Sequence, residues 1–191
     1  KTEYLEEIKK AVHLNDEMIG KATSFIQLHY KEFSSMSWVY SCGAGANYGT
    51  ALESALKMGE TIHIPSCCYE IEEYIHGPNL QLTPQYNVIF FDGNDGASHR
   101  VEQVYKATRK VSDRAYLISN NPQLVMDDHV LSLSDTISSE LSPIVYLPFV
   151  QLLSFIISND LHSIYQHPLL KEFKAIAAAK TENFVNYDGD D

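Results

Sequence analysis

The apolar positions of the first thirty residues recur every three to four places. Tyr4, Leu5, Ile8 and Val12 form one group, and Met18, Ile19, Ala22, Phe25, Ile26 and Tyr30 a second. This is the spacing of amphipathic helix, and the polar Asn15 and Asp16 between the groups predict two consecutive helices, the second capped by one of that pair. The run Trp38-Val39-Tyr40-Ser41-Cys42 then predicts a strand. Gly43-Ala44-Gly45-Ala46 follows at once, with a helical pattern from Tyr48 to Met58. Strand, glycine-rich turn and helix open an α/β unit.

The alternation continues. Thr61 to Ile64 is expected as a strand, Tyr69 to Ile75 as a helix and Asn87 to Phe91 as a buried strand. A helix is expected from about His99 to Val111, strands at Ala115 to Ser119 and His129 to Leu133, and a long helix from Pro143 to His162. Strands separated by helices imply a mostly parallel sheet covered on both faces. The division this suggests is one domain over 1–191, with leading helices at 1–35, an α/β core at 36–165 and a tail at 166–191.

Composition narrows the function. The 191 residues suit one domain, and 45% hydrophobic against 20% charged residues excludes a disordered chain. A net charge of −11 with only 14 scattered Lys and Arg argues against nucleic acid and against anionic membrane surfaces, while leaving room for a small anionic substrate. The apolar stretch from Pro143 to Ile157 is broken by Pro148, Gln151 and Ser154, so no membrane span is expected. Three cysteines, Cys42, Cys67 and Cys68, are an odd number with two adjacent, which points to packing residues in a reducing, cytoplasmic compartment. The first residue, Lys1, suggests a start within a longer chain.

Few groups carry chemistry on their own. Gly43-Ala44-Gly45 lacks the third glycine of a dinucleotide fingerprint, since Tyr48 stands there, so a tight turn open to small-ligand contact is expected. The eight histidines show no metal-ligand spacing, and no serine sits in a nucleophile elbow. Glu53 and Lys57 are four apart, the spacing of an ordinary helix-surface ion pair. Glu70, Glu72 and Glu73 read as a solvated face. Glu60 stands out: it follows Gly59 at an expected helix end, where the macrodipole disfavours a carboxylate charge, and a carboxyl group held toward neutrality suits proton transfer between adjacent carbons.

Taken together, Ser41-Cys42-Gly43-Ala44-Gly45-Ala46-Asn47-Tyr48-Gly49-Thr50-Ala51-Leu52-Glu53-Ser54-Ala55-Leu56-Lys57-Met58-Gly59-Glu60 and Glu73-Tyr74-Ile75-His76-Gly77-Pro78 resemble the sugar isomerase (SIS) domain. The match is strongest from Val39 to Pro84, and it is most similar to the second SIS domain of glucosamine-6-phosphate synthases and fructosamine 6-phosphate deglycases. The resemblance implies a three-layer α/β/α sandwich around a flavodoxin-like, five-stranded parallel sheet. It implies that Glu60 moves a proton between C1 and C2 of a phosphosugar, that His76 assists ring opening from a neighbouring subunit, and that Lys57 lies close to Glu60. Gly43, Ala44, Gly45, Lys57 and Lys174 would contact substrate, and Lys180, ahead of Lys174, best matches a C-terminal catalytic lysine. Neither metal nor nucleotide cofactor is implied.

One departure matters. SIS domains that hold the phosphate carry a Ser-x-Ser-Gly-x-Thr-like loop, and here Asp92-Gly93-Asn94-Asp95-Gly96 follows the strand instead, with carboxylates that would repel an anion. The expected partner is therefore a first SIS domain in the same chain, in a homodimer or larger assembly. The activity implied is that of an amino-sugar or fructosamine 6-phosphate isomerase or deglycase; the alternative is a non-catalytic sugar-phosphate sensor of a regulator.

Overall fold

Five parallel strands form the centre of the fold in the computed structural model, which describes residues 2–124, 127–163, 172 and 176. Their order is β2 (Ser66–Glu70), β1 (Val39–Gly43), β3 (Asn87–Asp92), β4 (Ala115–Ser119) and β5 (Val130–Ser132). Val39 pairs with both Ser66 and Asn87, and Gly43 with Glu70 and Phe91, so the carboxyl ends of β1, β2 and β3 are level. All strands point the same way, but the order in which they are laid down reverses beside β1: β2 is added on one side, and β3, β4 and β5 on the other, which makes the carboxyl ends of β1 and β3 a topological switch point.

Side-chain alternation along the strands feeds two cores. Ile89 and Phe91 of β3 face one layer, with Tyr116 and Ile118 of β4. That layer holds α1 (Thr2–Leu28), α3 (Asn47–Lys57) and α6 (Ser142–Asp160). Val88 and Phe90 face the other layer, with Tyr40, Cys42 and Leu117, against α4 (Ile71–Ile75) and α5 (Ser98–Thr108). The result is the three-layer α/β/α sandwich on a five-stranded parallel sheet expected above.

Several boundaries differ from the pattern reading. The leading segment is one 27-residue helix rather than two. Ala11, Leu14, Met18, Ala22, Phe25 and Ile26 are all buried, so the apolar stripe runs straight past Asn15, whose amide donates sideways to the Ile144 carbonyl at 2.9 Å instead of capping. The break comes later, at His29, before the short α2 (Tyr30–Ser34). Residues 58–62, expected to lead into a strand, continue the helix as a single π turn, Met58–Ile62, closed by His63 in the left-handed region. The strand begins at Ser66, and Glu70 caps the following helix by accepting from the Glu72 amide at 2.6 Å. Cys67 is exposed rather than packed; Cys42 is buried.

The last helix, by contrast, falls where it is expected, running from Ser142 to Asp160. At 19 residues, α6 is long and apolar enough to cross a membrane by length and composition. In this fold it is the central helix of the first layer, with Val145, Tyr146, Phe149, Val150, Leu153 and Ile157 wholly buried against α1 and the sheet. On the far side, α1 covers the β5 edge: Lys21 donates to the Ser132 carbonyl at 2.6 Å, and Glu17 accepts from the Ser134 amide at 2.8 Å.

Candidate functional site

The glycine turn sits where the topology predicts a ligand crevice. A Cβ on Gly43 would lie 2.3 Å from the Asn47 carbonyl oxygen, so only glycine lets α3 start this close to β1. Gly45 adopts a positive φ of 54° to make the turn. Beneath it, Asn47 is buried and donates to Ser142 Oγ at 2.7 Å, while Thr50 donates to Asn47 Oδ1 at 2.9 Å. These bonds tie the first turns of α3 and α6 together.

The loop after β3 completes the crevice. Asp92 is fully buried, and its carboxylate accepts from Ser98 Oγ at 2.5 Å, Ser119 Oγ at 2.7 Å and the Asn94 amide at 3.1 Å. Tyr146 donates to the Asp92 carbonyl at 2.6 Å, and burial beside this carboxylate pushes the Tyr146 phenol well above its usual range. Asp95 stands exposed next to Gly45. The buried acid is therefore a structural anchor, and the loop presents carboxylate rather than the hydroxyl and amide cradle of a phosphate site.

Glu60 lies at the other end of α3. Gly59 packs against Ser66 at the start of β2, where an added Cβ would stand 2.9 Å from Ser66 Oγ. At 1.5 Å of rise per residue, that is roughly 20 Å along the helix from Gly45. The chain thus separates Gly43, Ala44 and Gly45 from Lys57 and Glu60. Because the π turn carries the helix past Gly59, Glu60 does not terminate it. The carboxylate meets a cation, not a bare dipole end: Lys57 donates a short charge-assisted hydrogen bond to Glu60 and lies 3.4 Å from Glu53. The hydrogen bond to Glu60, with the charges of both glutamates, raises the Lys57 pKa above its ordinary value. Glu60 keeps 44% of its side chain exposed, open to a reactant. Glu53, expected as half of an ordinary surface pair, is the third member of this cluster.

His76 follows α4 on the opposite face of the sheet, and it is exposed. Among the described residues no hydrogen bond or ion pair links it to Glu60. Lys174 and Lys180 lie outside the described residues. One group not foreseen from spacing is Asp127, Asp128 and His129, whose potential ligand atoms lie within 4.8 Å of one another. These atoms already serve the fold: Tyr105 donates to Asp127 at 3.0 Å, and His129 Nδ1 donates to Asp128 at 2.8 Å.

Fold and topology thus define a flavodoxin-like α/β domain with a carboxyl-end crevice and a separate Glu–Lys–Glu cluster. No family model matches the chain. The glutamine--fructose-6-phosphate aminotransferase [isomerizing] of Xylella fastidiosa (strain Temecula1) is 26% identical over 150 residues, 78% of this chain and 23% of that protein. Its counterpart from Idiomarina loihiensis is 27% identical over 153 residues, 79% and 24%. The chain therefore spans about a quarter of the length of the curated relatives it matches. Among solved structures, a protein classed as a phosphosugar isomerase from Clostridium difficile 630 superposes with a TM-score of 0.78 at 20% identity, covering 94% of this chain and 51% of that one. The C-terminal domain of the Francisella tularensis glucosamine-fructose-6-phosphate aminotransferase gives 0.71 at 24% identity, covering 82% and 44%. At these identities the structural likeness is one of fold. Relatives and neighbours together support an SIS domain of the aminotransferase-isomerase type.

Proposed function

We propose that this domain supplies the proton-transfer half of an isomerase or deglycase acting on an amino-sugar or fructosamine 6-phosphate. The observation that carries the reading is the exposed Glu60 carboxylate held by Lys57, with Glu53 behind the same ammonium. The acyclic sugar presents a proton on the carbon next to its carbonyl or imine. Glu60 removes that proton, leaving an enediol or enolamine, and returns it to the neighbouring carbon, so that the carbonyl moves by one position with no net change of oxidation state. Lys57 keeps the carboxylate oriented and offers positive charge near the developing oxyanion. A lysine of the C-terminal tail, Lys180 ahead of Lys174, would act on the carbonyl.

The rest of the site is lent by partners. A first SIS domain in the same chain would hold the phosphate, in keeping with the carboxylate-bearing loop after β3 and with the small share of its relatives that this chain spans. His76 would assist ring opening in the site of a neighbouring subunit; its exposure on the face away from Glu60 supports this. The assembly is then a homodimer or larger, working in the cytoplasm. In the full-length protein, Glu60→Gln is expected to lower phosphosugar turnover by about 10²–10⁴-fold with the fold intact; turnover equal to wild type would overturn the reading.

A further inference from the structure

A second small-molecule site is suggested at the amino-terminal end of the sheet. A groove of about 430 Å³ opens there between the segments that lead into β1, β3 and β4. Trp38 precedes β1 and leaves 53% of its surface exposed. Arg114 precedes β4, and Gln81, Gln85 and Ser37 supply amides and a hydroxyl around Tyr86, which is buried. No acidic residue lines the groove, in a chain with 25 Asp and Glu against 14 Lys and Arg.

Arg114 is the decisive group. Of the three arginines, Arg100 holds Glu72 at 2.6 Å and Arg109 approaches Asp127 at 3.9 Å. Arg114 has no carboxylate partner among the described residues, and the one hydrogen bond of its guanidinium among them is long, 3.5 Å from Nη1 to the Ser35 carbonyl. A guanidinium with free donors matches an anion such as phosphate or carboxylate in a fork. The half-exposed indole of Trp38 suits contact with the apolar face of a ring, and the uncharged amides and hydroxyls fit ring hydroxyls in either direction of donation. The volume lies within the range of small-ligand pockets. We propose that this groove binds a hydroxylated ring carrying one anionic group, a sugar phosphate or a sugar acid. It shares no residue with the Glu53, Lys57 and Glu60 cluster or with the carboxyl-end crevice, and it does not rest on the isomerase reading.

The chain contains one tryptophan, so its fluorescence reports this groove directly. The 191-residue chain is titrated with glucose 6-phosphate, glucuronate, glucose and inorganic phosphate. A saturable change in Trp38 emission is expected with glucose 6-phosphate or glucuronate, tighter than with glucose or phosphate alone; which of the two binds better separates phosphate from carboxylate. Arg114→Gln should weaken that binding by about tenfold or more. Gln81→Ala, on an exposed turn, should weaken it severalfold in a chain whose folding does not depend on Arg114. Glu60→Gln should leave the titration unchanged, so failure here and failure of the proton-transfer reading are told apart. The proposal is overturned by an unchanged emission with all four compounds, by inorganic phosphate alone binding as tightly as the ring-bearing anions, by wild-type affinity in both groove variants, or by loss of the response in Glu60→Gln.

Discussion

At the residue scale, charged side chains at the ends and edges of elements carry most of what is specific to this chain. Glu17 is the clearest structural case. Partial burial raises its pKa, and the hydrogen bonds from Lys21 and Ser134 outweigh that and hold it below the usual carboxylate value. A carboxyl group with a lowered folded pKa contributes stability that is present above its unfolded pKa and is lost as the pH falls through the folded one. Glu17→Gln should therefore destabilise the chain by about 1 kcal/mol at neutral pH, and the gap from wild type should close on acidification; denaturant titrations at several pH values measure it. The Glu–Lys–Glu cluster was only partly legible in the sequence. The motif pointed to Glu60 and Lys57, and the Glu53–Lys57 spacing was visible. That one ammonium serves both glutamates depends on the helix continuing past Gly59, which no local pattern announces.

At the element scale, close approach of backbones decides what the turns tolerate. Gly43 faces the carbonyl of Asn47, a backbone atom that cannot move without displacing the start of α3. Gly59 faces only the hydroxyl of Ser66, which can rotate away. Gly43→Ala should thus cost about 2 kcal/mol or more, and Gly59→Ala clearly less, read as the difference in midpoint between the two variants. The sequence made the alternation of strands and helices plain because buried strands such as Asn87–Asp92 carry an unbroken apolar run, here residues 88–91. It misplaced β2 because Ser66–Glu70 is an edge strand with polar Ser66 and Glu70 at its ends and two cysteines between, while Thr61–Ile64 carries the β-branched residues that strands prefer. It split α1 because a buried stripe can pass a polar pair when one of them finds a partner on another helix, here the Ile144 carbonyl of α6. The groove beside Trp38 was invisible for a similar reason: Trp38, Gln81, Gln85 and Arg114 belong to four separate segments that only the sheet brings together.

At the scale of the whole molecule, the two cores explain why the proposed site residues lie so far apart in one chain. The Gly43 turn and the Asp92 loop crown the carboxyl ends of the strands, Glu60 lies at the amino end of the first layer, and His76 follows α4 on the second. Under the proposed function the site would be assembled from several copies or domains, and a phosphate-binding partner would offset the net charge of −11. If His76 serves a neighbouring subunit, Glu60→Gln and His76→Asn are each inactive alone, and mixed oligomers of the two recover activity; mixtures that stay inactive would place both residues in one subunit's site. The most direct test of the central claim follows the proton itself. With the full-length protein in deuterated water, wild type is expected to incorporate deuterium at C1 or C2 of the phosphosugar, and Glu60→Gln to incorporate none above the uncatalysed rate. Equal incorporation by the two would contradict the assignment of Glu60 as the base.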